Sequence, residues 1–308
     1  MALLSTLLNL ASCGAAGVLG TGTHGCRPFF KKTYSLWLTP AGFEYDGTMT
    51  WDTTYINTLI NAGTLIVLKG ISQPENQSTD NTLTDIGGGV EVLEDEGLYK
   101  FKYDFVKGAY FNAALRTLVG YGVYDVAFVD TQGSIFGTAA PTAGNWKGFT
   151  TAQISHNPMA FGDVQTGRES IVIQYPEREE IDTDFVYIEK EADVFNPKSI
   201  DGINEVKISY NVAPADTDVV INIKAIRKQD SNPWTGAAFG NFSLLADGVA
   251  NTITADDAEA TGAGIYILTC SLISSGETLV TQLGTVAVPG VVLGTRNYKS
   301  NVITAIVP

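Results

Sequence analysis

Apolar side chains along this sequence recur mostly at every second position, in short runs bounded by Gly, Pro, Asn and Asp. That is the period of half-buried β-strands. Positions 32–38, Lys-Thr-Tyr-Ser-Leu-Trp-Leu, predict a strand that Thr39-Pro40-Ala41-Gly42 stops. Segments 64–69, 98–105, 124–129, 134–138, 146–154, 169–175 and 185–190 predict further strands, and Asp130-Thr131-Gln132-Gly133 turns 124–129 back on 134–138 as a hairpin. Two stretches switch to helical spacing. Tyr55, Ile56, Leu59 and Ile60 share a face over 52–61, with Asp52 placed to cap it. Over 106–119, Tyr110, Phe111, Ala114, Leu115 and Leu118 form one apolar stripe, and Gly120 ends it. Between them, 70–90 is polar and turn-rich and predicts a long exposed loop or hairpin about Gly87-Gly88-Gly89.

Near Asn196-Pro197 the character changes. No helix is predicted in 198–308. Short β runs at 205–212, 219–226, 242–245, 265–273, 278–288 and 302–307 are separated by turns such as Asp201-Gly202 and Asp247-Gly248, the pattern of an immunoglobulin-like sandwich. Residues 1–30 differ again. An apolar start leads into Gly14, Gly17, Gly20, Gly22 and Gly25, which have little power to form a core alone, so the segment reads as an arm ordered on a neighbour. Leu10-Ala11-Ser12-Cys13 resembles a lipoprotein cleavage box, but no Lys or Arg precedes the apolar run as a signal requires. The division is thus a Gly-rich arm at 1–30, a β domain at 31–195 with its helix near 106–119, and a β-sandwich at 196–308. No stretch reaches the roughly 20 apolar residues of a membrane span.

Composition sharpens this picture. Hydrophobic residues make up 44% of the chain and charged residues 17%, with 32 glycines. Ordinary globular domains carry about 25% charged residues. The deficit points to surface covered in subunit interfaces, whose centres are depleted in charge. The charge present is acidic, 33 carboxylates against 19 cations, a formal net of −14. Such a chain repels phosphate backbones and argues against gripping nucleic acid; the charge serves solubility or, as the alternative, lines a passage along which DNA slides without sticking.

Candidate chemistry is thin. Cys13, Cys26 and Cys270 give no disulfide framework, and His24 and His156 are too few and too distant for zinc or triad chemistry. Cys270, inside Ile267-Leu268-Thr269-Cys270-Ser271-Leu272-Ile273, reads as a core residue. Glu177, Glu179, Glu180, Asp182 and Asp184 are the densest carboxylates and read as a solvated rim. Asp80, Asp85 and Glu94-Asp95-Glu96 lack the regular spacing of a calcium loop. Gly87–Gly89 do not open a helix after a strand, so they are no phosphate loop. Asn76-Gln77-Ser78 and Asn241-Phe242-Ser243 fit the glycosylation sequon, a pattern common by chance. The expectation is a non-enzyme with no catalytic, cofactor or metal residues.

The block 98–182 carries a resemblance. A strand is followed by the short helix Lys107-Gly-Ala-Tyr-Phe-Asn-Ala-Ala-Leu-Arg-Thr-Leu118, then Tyr124-Asp-Val-Ala-Phe-Val-Asp-Thr-Gln-Gly-Ser-Ile-Phe-Gly-Thr138, Trp146-Lys-Gly-Phe-Thr150 and Glu169-Ser-Ile-Val-Ile-Gln-Tyr175. This order resembles the tail-tube and related virion structural proteins of tailed phages, over about a third of the chain. The resemblance implies a mainly β fold: a tail-tube-like β-sandwich or half-barrel with one flanking helix, plus a C-terminal immunoglobulin-like β-sandwich. It also implies rings stacked around DNA, an acidic lumen, inter-ring contacts from the arm and from 70–97, and a virion location after assembly in the host cytoplasm. The implied partners are further copies of itself and other virion proteins, with DNA only in passing and no membrane. A jelly-roll major capsid protein and a cell-surface lipoprotein or adhesin are the alternatives.

Overall fold

The computed structural model describes residues 3–7, 9–10, 31–86, 90–157, 168–182, 184–188, 190, 195–257, 263–294 and 296–308. The fold is mainly β. It divides into two compact units, residues 1–55 with 65–199, and residues 56–64 with 200–308. The sequence reading placed the division at 195 and left 56–64 with the first part. The Gly-rich stretch 11–30, with Cys13, His24 and Cys26, and Gly87–Gly89 lie outside the described residues.

The first unit pairs a half-barrel sheet of eight strands with a sheet of five. The larger runs in the order Asn9–Leu10, Phe185–Ile188, Ile135–Ala139, Tyr124–Asp130, Thr33–Pro40, Ile66–Lys69, with Trp146–Lys147 and Phe149–Thr150 paired to its middle strands. Its centre is buried on both faces, which is why Leu36-Trp37-Leu38 is a continuous apolar run. Leu36, Leu38, Val126 and Phe128 face the smaller sheet in one core with Phe105, Ile171, Ile173 and Tyr175. Trp37 points the other way, as alternate strand residues must. There it packs with Trp51 (6.2 Å between ring centres) and Phe195, and Trp51 packs with Tyr45 and Trp146. Gly137 lies where the chain comes closest: a β-carbon there would sit 2.3 Å from the Lys147 carbonyl oxygen.

The Asp130 hairpin forms because one carboxylate oxygen of Asp130 accepts the N–H groups of Gln132, Gly133 and Ser134 at 2.8, 2.8 and 3.0 Å. The stretch 146–154 is not one strand. Trp146–Lys147 pairs with Ile135–Ala139, Phe149–Thr150 pairs with Tyr124–Asp130, and Gln153–Asn157 has crossed into the five-stranded sheet. That sheet runs Ile71–Asn76, Tyr99–Phe105, Glu169–Tyr175, Gln153–Asn157, Gly120–Tyr121. Ile71–Asn76, part of the stretch expected as a long loop or hairpin, is an edge strand. Its polar outer positions and Pro74 hide it from pattern reading, because proline is tolerated only at a sheet margin.

The flanking helix is Ala109–Arg116, shorter than the 106–119 expected, because Gly108 at φ 90° starts it and Thr117 closes it. The buried carboxylate of Glu169 accepts the Lys107 and Gly108 N–H groups at 3.2 and 2.5 Å, fixing the entry. A second short helix, Arg178–Asp182, occupies the acidic stretch predicted as a rim. The apolar start is built into this same unit: Leu4 is fully buried, its N–H donates to the Met49 carbonyl at 3.0 Å, and Asn9–Leu10 pairs with Val186 and Tyr187.

The second unit holds sheets of six and four strands over a core of Val206, Ile208, Ile223, Tyr266, Phe242 and Leu283. The six-stranded sheet includes one parallel pairing, Ile203–Tyr210 with Arg296–Ser300. Trp234 anchors it, and its carbonyl accepts the buried Tyr266 hydroxyl at 2.9 Å. The run expected to span 278–288 ends at Leu283, because Gly284 takes φ 74° and turns the chain. The end of the Thr53–Asn61 helix belongs here, where Asn57 accepts a hydrogen bond from the buried Asn297 side chain at 2.9 Å.

Candidate functional site

The segment between the first two strands of the five-stranded sheet carries the most unusual surface. Beyond Asn76 the ladder continues, Gln77 N–H to the Lys100 carbonyl and Thr79 N–H to the Leu98 carbonyl at 2.8 and 3.2 Å. The chain then forms a separate two-stranded ribbon, Thr82–Asp85 against Glu91–Asp95. An isolated hairpin is marginal in water, since neither face is covered. Here both faces carry apolar groups. Leu83 lies opposite Leu93 on one face, and Val92, Ile86 and Val90 line the other. These five side chains are between 45 and 67% exposed. Around them sit Asp80, Asp85, Glu91 and Glu96, and no Lys or Arg occurs between Lys69 and Lys100.

The sequence predicts a long exposed loop or hairpin here, and the structure pairs it as a hairpin; what the pattern does not single out is Leu83, Ile86, Val90, Val92 and Leu93. The signal was present: short alternating β runs on either side of three glycines mark a hairpin. The outer face of the parent sheet, by contrast, is mixed in charge. Lys102 contacts Glu75 at 3.2 Å and Asp104 at 3.4 Å, and Arg168 reaches Asp104 at 3.8 Å. The hydrogen bond to Glu75 comes first among the causes that hold the Lys102 ammonium above its usual range.

Several of the titratable side chains singled out in the sequence make structural contacts among the described residues. Glu180 is tied to Lys147 at 2.9 Å and accepts the Thr150 N–H at 2.7 Å, so it locks a helix onto a strand instead of standing in a solvated rim. Asp182 accepts the Tyr99 hydroxyl at 2.5 Å. His156 meets Asn112 of the flanking helix at 2.6 Å, and burial, then the Arg116 charge, lower its affinity for a proton. Cys270 is buried in the second unit, and burial raises its thiol above the usual range. At one end of that unit Asp216, Asp218, Asp247 and Glu277 each accept a backbone N–H of a nearby turn. Among the described residues no group of three His, Cys, Asp or Glu side chains is arranged to hold a metal ion, and no helix is long and apolar enough to cross a membrane.

No family model matches the chain, and no curated protein matches it.

Proposed function

We propose that this chain is a non-catalytic structural virion protein that assembles with copies of itself into rings, stacked as the tail tube of a tailed phage around an acidic passage for DNA. The uncovered two-faced ribbon at 82–95 carries this reading. Apolar groups on both sides of an isolated hairpin are an aggregation hazard unless another surface receives them, and a second copy is the surface always at hand. The low charge content fits extensive subunit contact, and the net −14 fits a conduit that does not retain DNA. The second unit, with its sheets of six and four strands, serves in this reading as an immunoglobulin-like domain displayed on the outside, and other virion proteins meet the ends of the tube.

Light scattering and negative-stain microscopy of the purified protein over a concentration series test the proposal. Rings or tubes are expected, with no retention on duplex DNA at physiological salt. Single compact chains at every concentration refute it.

A further inference from the structure

A second exposed surface complements the ribbon in both chemistry and position. Between the strands Tyr99–Phe105 and Tyr124–Asp130 the chain runs over the flanking helix and the edge strand Gly120–Tyr121. Tyr110 and Tyr121 are 76 and 79% exposed there, and Val119 and Val123 are exposed beside them. The cations of this stretch are Lys107 and Arg116, and residues 105–124 contain no carboxylate. The ribbon is the reverse: every charged residue within 80–96 is acidic, and the cation Arg178 is engaged at its base with Asn81 and the Gly97 carbonyl at 2.7 and 3.2 Å. In a chain with 33 acidic residues, an apolar surface without one is the natural counterpart of an acidic apolar arm.

Sheet order decides between contact within a copy and contact between copies. The ribbon extends the hairpin of Ile71–Asn76 and Tyr99–Phe105, at one margin of the five-stranded sheet. Gly120–Tyr121 is the strand at the opposite margin. The donor and the Gly120–Tyr121 part of the receiver therefore lie at opposite margins, and among the described residues the apolar side chains of both are exposed.

We propose that the 82–95 ribbon of one copy seats on the 106–123 surface of the next, a head-to-tail contact. Contacts of this kind close into rings or run on as filaments, whereas a surface that meets itself stops at a dimer. This rests on the self-assembly reading above and adds which two surfaces meet.

Two variants test it by complementation. One carries Leu83→Ser, Val92→Ser and Leu93→Ser and spoils the ribbon while keeping the seat. The other carries Tyr110→Ser, Arg116→Glu and Tyr121→Ser and spoils the seat while keeping the ribbon. All six positions are on the surface, and circular dichroism checks that each variant folds. Each alone is expected to associate at least ~tenfold more weakly than the unaltered protein, a loss of ~1.4 kcal/mol. Mixed, they are expected to form one-to-one dimers and nothing larger by sedimentation velocity, since one good ribbon meets one good seat. The single reversals Glu91→Lys and Arg116→Glu, which leave the apolar groups in place, give a milder version of the same pattern. Variants that assemble like the unaltered protein, or a mixture that stays as single chains, overturn the pairing while leaving self-assembly standing. An unaltered protein that never associates overturns the underlying reading instead.

Discussion

Replacing Glu180 by Gln removes one charge from a pair that is 14 and 17% exposed on its Lys147 and Glu180 side chains. The pair is more than an ion contact. Lys147 also donates to Thr150 Oγ1 at 2.7 Å, and Glu180 accepts both the Thr150 N–H at 2.7 Å and its hydroxyl at 2.9 Å. Breaking a fully buried pair costs about 3–5 kcal/mol, and an exposed one about 0–1 kcal/mol. With roughly a sixth of each side chain in water, the expected loss lies between, near ~2 kcal/mol. Gln keeps only one of the two acceptor oxygens that Thr150 uses, so the loss includes a hydrogen bond as well as the charge. Lys147→Met is expected to cost a similar amount, and the double variant less than the sum, leaving a coupling of ~1–2 kcal/mol. Three of the four tryptophans, Trp37, Trp51 and Trp146, belong to the first unit, so urea unfolding followed by tryptophan emission reads the effect as a midpoint shift of ~1 M. A coupling below ~0.3 kcal/mol, the limit of additivity between independent sites, would refute the view that this pair fastens the Arg178–Asp182 helix.

Asp125 offers a pH signature. Burial holds its carboxyl above the ordinary value of 3.8, opposed by the Gly42 N–H and by Lys147. A folded value above the unfolded one means stability is fully present at pH below 3.8 and falls as pH climbs through the raised value. Asp125→Asn, which keeps an acceptor for Gly42, is therefore expected to gain stability over the parent as pH rises; a pH-independent difference in urea midpoints would contradict this. Trp51→Ala empties the centre of the aromatic cluster and is expected to cost about 3–5 kcal/mol, read by calorimetry; a loss under ~1 kcal/mol would mean the cluster is loosely packed. Gly137→Ala pushes a methyl into the Lys147 carbonyl and the Trp146 ring, with an expected cost of about 1–3 kcal/mol; a neutral result would show that the close approach relaxes freely.

Local chemistry was readable in the sequence and pairing was not. Asp52 caps its helix as its position implied, accepting the Tyr55 N–H at 2.8 Å, and the Asp130 turn joins the two strands it was expected to join. Both depend on neighbours a few residues away. The run 146–154 reads as one strand because no strong turn signal interrupts it, yet its partner changes twice, and a change of partner is set by residues such as Val126 and Ile173 far along the chain. Val291–Leu293 and Arg296–Ser300 escaped notice because each is short and one centres on Asn297, a polar residue whose burial follows from its bond to Asn57. The ribbon was legible as a loop or hairpin, but its five apolar groups take on meaning only once their exposure is known.

Pro74 has a consequence for growth. A margin strand normally presents a row of amide donors on which another backbone can zip. At residue 74 that row lacks a hydrogen, so amyloid-like extension along this rim is interrupted halfway. In the proposed assembly, joining through side chains is thereby separated from polymerisation by misfolding, for which the main chain of this rim withholds the offer.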